Sequence, residues 1–297
     1  MTIVPEEITV ILNAYRRQDY LSRQIQAVSQ QTLPPAEILV WNNGQALASQ
    51  DLNYSGTIIA NSSKNFGVWS RFALALNSET EYICILDDDT FPGLNFFKSC
   101  VGIVSKYNCL VGARGLRFLT NTSYSPFLSF GWDNPNENLE EVDIIGHAWF
   151  FRREWLSYFW RELPVLNTSR MGGEDIHFSY CLRRYGGIKS CVGPHPLRDQ
   201  SVWGSDPHYA RVIGGDSSAI STQHGSFERF DAAYRLYISK GMVILNDLTP
   251  TEHSGENIHV IPVRRFYRVI NFIKSVPILR KIAQSISVFL KKFNIYV

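Results

Sequence analysis

Five apolar residues, Tyr82-Ile83-Cys84-Ile85-Leu86, run without a break into Asp87-Asp88-Asp89. Such a run reads as a strand buried on both faces, which requires a sheet covered on both sides. The three aspartates then sit at the strand's carboxyl end, the rim where open α/β sheets bind ligands. Adjacent carboxylates repel one another, and their ionised forms need a cation or another compensating charge. A hard divalent ion with oxygen ligands, Mn²⁺ or Mg²⁺, would meet that need while gripping a diphosphate. The plainer alternative is a solvated acidic turn, and the buried strand in front weighs against it.

The residues before this strand alternate in period. Ile8 to Leu12 is a β-branched strand, and Leu21, Ile25 and Val28 recur at helical spacing until Pro34-Pro35. Glu37 to Trp41 reads as a second strand closed by a turn at Asn42-Asn43-Gly44, Thr57 to Ile59 as a third, and Trp69 to Leu76 as a helix. Repeated βα units predict an α/β fold with a mostly parallel central sheet and helices on both faces. A helix is expected after Leu94 and a strand near Leu110–Ala113. Phe118 to Trp132 reads as irregular, Val142 to Gly146 as one strand, and Glu174 to Tyr185 as a helix ended by Gly186-Gly187. Residues 193–228, rich in Gly, Pro, Ser and Asp, read as a long functional loop.

A second acidic group, Glu174-Asp175, follows Gly172-Gly173 and opens the expected helix, where the dipole favours negative charge. These are first-turn helix charges, or a carboxylate placed to accept the proton of an attacking hydroxyl.

At this point the sequence resembles known enzymes. EILVWNNG, Ser70-Arg71-Phe72, LDDDT, IIGHAWFF and GGEDIHFSYCL occur in the order of the exostosin-like glycosyltransferases, and ITVILNAYRRQDYLSRQI also looks like the start of family-2 bacterial glycosyltransferases. The resemblance covers roughly residues 8–190 and implies a GT-A (Rossmann-like) fold. It also implies metal-dependent transfer of a hexose or N-acetylhexosamine from a UDP-sugar to a glycan or glycolipid hydroxyl. By resemblance, Asp89 is the direct metal ligand with Asp87 assisting, and Asp87 and Asp88 belong to the donor motif. Asn13, Tyr15, Arg16, Asn42, Asn43 and Arg71 would hold the nucleotide-sugar, and Gly146 would let backbone approach it. Asp175 would be the catalytic carboxylate, with Glu174 beside it. The exostosin-like resemblance leans to retention of anomeric configuration, the family-2 one to inversion.

His224, between Gln223 and Gly225, is the candidate further metal ligand, with His147, His195 and His208 as rivals. Trp132 and Trp203 are candidates for stacking on sugar rings. A nucleotidyltransferase would need glycines after the first strand, and Asn13 to Tyr20 has none. A haloacid-type phosphatase would need Thr or Val where Phe91 stands. A carbohydrate-binding pseudoenzyme would be expected to lose carboxylates that are present here.

The formal charge of +2 hides an asymmetry. No acidic residue follows Glu256, while Arg264, Arg265, Arg268, Lys274, Arg280, Lys281, Lys291 and Lys292 are positive, leaving 2 − 8 = −6 for residues 1–257. The tail from 258 to 297 reads as basic amphipathic helices that lie on an anionic membrane surface through residues 263–294, or pack on the domain at 1–257. No nucleic-acid motif accompanies these charges. Five cysteines without a CxxC pair, no signal-like start and no long apolar run together predict a cytoplasmic protein, peripheral to a membrane at most.

Overall fold

The computed structural model describes residues 8–44, 57–163 and 170–248, together with Ile295 and Tyr296. The expected basic helices of the tail lie outside these residues.

Strands β1 (Ile8–Ala14), β2 (Glu37–Asn43), β3 (Thr57–Ser62) and β4 (Tyr82–Leu86) are parallel, with β1 flanked by β2 and β4. The chain fills one side of β1 and then crosses to the other, so a topological switch point lies between β1 and β4. A crevice opens outside the strand ends at such a point. The sheet continues through β10 (Ala148–Arg152), β5 (Cys109–Gly112), β11 (Lys189–Val192) and β8 (Glu140–Val142), in the order β3-β2-β1-β4-β10-β5-β11-β8. β10 and β8 run against the other six. This is a mixed, mostly parallel sheet of the GT-A kind.

Helix α1 (Gln18–Ser29) buries Leu21, Ile25 and Val28, the stripe its sequence predicts, and packs on β1. Helix α2 (Ser70–Leu74) drives Phe72 into the same core, where it stacks at 4.4 Å on Phe159 of the short helix α4 (Leu156–Phe159). Helix α3 (Phe96–Tyr107) covers β5 and β10. Burial of each such side chain contributes about 1.5–3 kcal/mol, so the stripe outweighs an N-terminus with no side-chain cap. All five cysteines are buried and unbridged. No helix among the described residues is long and apolar enough to cross a membrane.

Four expectations need correction. The stretch Phe118 to Trp132 is not irregular throughout: β6 (Arg114–Phe118) and β7 (Phe127–Gly131) form an antiparallel hairpin in a second sheet, completed by β9 (Ile144–Gly146) and β12 (Ile295–Tyr296) and ordered β12-β7-β6-β9. Aromatic crowding hid the period-2 pattern, because both faces of β6 are covered. Val142 to Gly146 is not one strand either. Asp143 divides β8, in the large sheet, from β9 (Ile144–Gly146), in the small one. Residues 193–228 are not one loop but contain α6 (Pro207–Gly214), started by an Asp206 cap on the His208 amide, and the beginning of α7 (Ser226–Ser239). Asn42 and Asn43 end β2 and do not form a turn.

A second core fills the space between the small sheet and two helices, α7 and α5 (Glu174–Cys181), through Leu116, Phe118, Ile144, Ile176, Tyr180 and Tyr234. Asp143 pins the junction: its two carboxylate oxygens accept the amides of Phe118 and Leu245, each at 2.7 Å. Burial pushes its pKa up to about 6, against the pull of those amides. Asp143→Ala would leave two buried donors without acceptors, a loss of about 2–4 kcal/mol on the usual cost of an orphaned group. Urea unfolding should register that loss, with Asp143→Asn, which keeps one acceptor, falling between.

Candidate active site

A cleft of about 280 Å³ lies outside the carboxyl ends of β1, β2 and β4. Asn13 and Tyr15 reach it from β1 and the turn beyond, Asn43 from the end of β2, and Asp87, Asp88 and Asp89 from the end of β4. Arg71 arrives from α2, and Glu174 and Asp175 from the first turn of α5. That turn is possible because Gly173, with φ of 84°, takes a left-handed conformation at the helix start.

Each acid of the triad has a different nearest partner, although Arg17 also reaches Asp89 Oδ2 at 3.7 Å. Arg71, buried at 2% exposure, pairs with Asp87 through one nitrogen and with Glu174 Oε1 at 2.7 Å through another. Its guanidinium also stacks on Trp149 at 4.4 Å. Arg17 pairs with Asp88 at 2.5 Å and holds Asp216 at 2.8 Å and the carbonyl of Ile213 at 2.7 Å. It thereby ties α6 and the turn after it to the triad. Asp89 Oδ1 faces His147 Nδ1 at 3.5 Å.

His147 owes this place to the antiparallel strand. β10 starts opposite Leu86, so the residue before it falls beside the end of β4. The His147 carbonyl accepts the Asp87 amide at 2.9 Å and the Thr90 hydroxyl at 3.0 Å, and its backbone has φ of 64°, strained for a residue with a side chain. Burial opposes its protonation, but the hydrogen bond and charge of Asp89 outweigh this and raise its pKa.

Two arginines face more acids than they can neutralise: Asp87, Asp88, Asp89, Glu174, Asp175 and Asp216. Burial first, then the neighbouring acids, push Asp88 and Glu174 up to about 7 despite Arg17 and Arg71. Burial raises Asp175 to about 6, against the hydrogen bond it accepts from the Ile176 amide at 2.7 Å. Asp175 is half-buried and has no ion-pair partner among the described residues. The excess negative charge favours a cation. One ligand atom each of Asp87, Asp89 and His147 lie within 4.8 Å of one another, and the buried His147 Nδ1 faces Asp89 Oδ1 across a long 3.5 Å contact. Two carboxylate oxygens and an imidazole nitrogen are ordinary ligands of divalent metals, so the donor set fits a divalent ion.

Residues 9–160, just over half the chain, match the family described as "Glycosyl transferase family 2". The chain belongs to glycosyl transferase family 2. Of the two resemblances in the sequence, this match supports the family-2 one. Among solved structures, S. aureus TarS (residues 1–349) is similar at 13% identity and a TM-score of 0.45, over 91% of this chain and 81% of that one. The same protein in complex with UDP-GlcNAc is similar at 14% identity and a TM-score of 0.46, over 91% and 82% of the two chains. The mannosyltransferase PcManGT from Pyrobaculum calidifontis, in complex with GDP-Man and Mn²⁺, gives 13% identity and a TM-score of 0.45, over 98% and 89%. No curated protein matches the chain.

In this glycosyltransferase the cleft gathers Asn13, Tyr15, Asn43, Arg71, the triad, Gly146, Glu174 and Asp175. Gly146 leaves open space where a side chain would stand. Six sequence candidates are placed elsewhere. Arg16 is exposed, its guanidinium 5.0 Å from the Tyr15 ring, and the strained turn at φ of 60° sends Arg17 inward instead. Asn42 is fully buried and donates to Asn61 Oδ1 at 2.6 Å, joining β2 to β3. His224 is exposed in the turn before α7, outside the cluster that His147 completes. His195 is a buried structural histidine between the Gly193 carbonyl and the Gly204 amide. Trp203 is buried with its indole nitrogen on Pro196, and Trp132 packs edge-on against His147 at 5.2 Å, so neither lines the cleft. Arg17 and His147 are the residues that sequence reasoning missed or ranked low. The signal for His147 was the second apolar run, Ala148 to Phe151, directly after it.

Proposed function

We propose that this enzyme transfers a sugar, a hexose or N-acetylhexosamine, from a nucleoside diphosphate carrier to a hydroxyl of a glycan or glycolipid, with inversion at the anomeric carbon. The observation that carries the reading is one cleft holding the Asp87–Asp89–His147 donor set and, apart from it, an acid without an ion-pair partner, Asp175. A divalent ion at the donor set would supply positive charge to the departing diphosphate. Asn13, Tyr15 and the ordered end of β2 border the nucleotide side. Asn43 there fixes the neighbouring loop through the Phe66 amide and the Gly67 carbonyl. Arg71 holds Asp87 and Glu174 in fixed positions through its two ion pairs, so Glu174 is a positioning residue.

Asp175 accepts the proton of the acceptor hydroxyl as its oxygen bonds to the anomeric carbon, while the bond to the diphosphate oxygen breaks. Freedom from an ion pair favours Asp175 over Glu174 for that role. A screen of UDP- and GDP-sugars for metal-dependent hydrolysis or transfer, followed by anomeric analysis, tests the proposal. An inverted product supports it, and a retained product rejects the role of Asp175 as base.

The metal site has a neighbour that can be altered without replacing a ligand. A methyl group on Gly214, the last residue of α6, would lie 2.6 Å from Asp89 Oδ2. Gly214→Ala is expected to weaken Mn²⁺ binding about tenfold, as disturbances behind a ligand commonly do. Thermal stability should hold, since Ala favours a helix over Gly by about 1 kcal/mol. The basic segment 263–294 would bring the enzyme to an acceptor on an anionic membrane, testable by flotation with phosphatidylserine vesicles.

A further inference from the structure

The cleft has two sides of opposite character. Towards β1, β2 and β4 it is lined by amides, carboxylates and guanidinium groups. Towards the small sheet and α7 it is lined by Leu116, Ile144, Tyr124 and Phe230. Leu116 and Ile144 are buried floor residues, while the Tyr124 and Phe230 rings are half-buried, 5.7 Å apart and inclined by 33°. Both are held in place. The Tyr124 amide donates to Asp231 Oδ1 at 2.8 Å, and its ring meets Phe118 and Phe127 edge-on. Phe227, one turn before Phe230 and 50% exposed, extends the aromatic surface outward, edge-on to Tyr124 at 6.4 Å.

We propose that Tyr124 and Phe230 form the acceptor subsite and that it takes a pyranose ring. This rests on the transferase reading of the neighbouring site. A pyranose carries axial C–H bonds whose positive ends suit the negative face of an aromatic ring, and hydroxyls around its edge that need polar neighbours. The platform offers both, because Asp175, Ser218 and Ser221 line the same cleft. A hydrocarbon chain would instead have to desolvate those polar groups without satisfying them. Rings already fixed by packing lose little freedom on binding, which makes them suitable anchors.

The test uses saturation-transfer NMR on the full chain with methyl glucopyranoside, galactopyranoside, mannopyranoside and N-acetylglucosaminide, plus octyl glucoside. Tyr124→Leu and Phe230→Leu keep apolar bulk but remove the ring face. Expected is transfer to the ring C–H protons of at least one methyl glycoside, weakened about tenfold in both variants, the scale of losing a ring contact. UDP and GDP titrations with Mn²⁺ should be unchanged in the variants. Absence of ring transfer, equal affinity in the Leu variants, or transfer confined to the octyl chain would overturn the proposal. If Tyr124→Leu does not fold, Phe230→Leu on the partly exposed side of α7 decides alone. A wild-type protein that stacks pyranosides but shows no metal-dependent nucleotide binding would reject the transferase reading and leave the sugar platform standing.

Discussion

Asp175→Asn is expected to lower turnover by about 10²–10⁴-fold, the range for loss of a positioned general base, with little change in nucleotide affinity. Asn has nearly the same shape and keeps an oxygen for the Ile176 amide, so the first turn of α5 stays intact. It cannot take the acceptor's proton. The pH dependence follows from the same group. Burial lifts the Asp175 pKa to about 6, so the protonated, inactive form predominates below that pH and the carboxylate above it. The rate should therefore climb through pH 6, level off above pH 7, and fall about tenfold per unit well below the pKa. Initial rates across pH 4.5–8 in the wild type and in Asp175→Asn check both statements. A variant that keeps most of its turnover would reassign the base.

Arg71→Met is expected to cost about 3–5 kcal/mol, the usual penalty for removing one member of a buried ion pair. The guanidinium is enclosed between Asp87, Glu174 and the face of Trp149, and without it two acids lose their nearest positive charge. At roughly 2–4 °C per kcal/mol for a chain of this size, the melting temperature should fall by about 10 °C. The double variant Arg71→Met/Glu174→Gln should recover part of that loss, because the unpaired charge rather than the missing contact dominates the penalty. No recovery would show that packing on Trp149 matters more. Nucleotide binding should weaken in both variants, since Asp87 is no longer fixed.

Strands β1, β2 and β4 of the parallel half were legible because each is a mostly apolar run, and burial on both faces enforces that composition. Leu21, Ile25 and Val28 announced α1 for the same reason. The far half was harder to read. β10 is as apolar as β4, but nothing in Ala148–Arg152 states that it runs the other way, and that direction alone brings His147 to Asp89. Strand orientation depends on long-range pairing, which a local pattern does not carry. The same limit explains the small sheet, whose strands β6 and β9 pair across about thirty residues with only Asp143 to mark the crossing between sheets. Arg16 and Arg17 differ by a local turn: φ of 60° at Arg16 decides which of two adjacent arginines enters the cleft, and no residue there demands it in advance. The carboxylates were legible because charge at the end of a buried strand has few other uses.

The central claim is that Asp87, Asp89 and His147 hold a divalent ion that binds the donor's diphosphate. Calorimetric titration of UDP and of GDP, each with and without Mn²⁺, tests it most directly, in the wild type and in His147→Ala. Mn²⁺ should tighten at least one nucleotide by about tenfold or more, and His147→Ala should erase most of that gain. Equal affinity with and without the metal for both nucleotides would contradict the account.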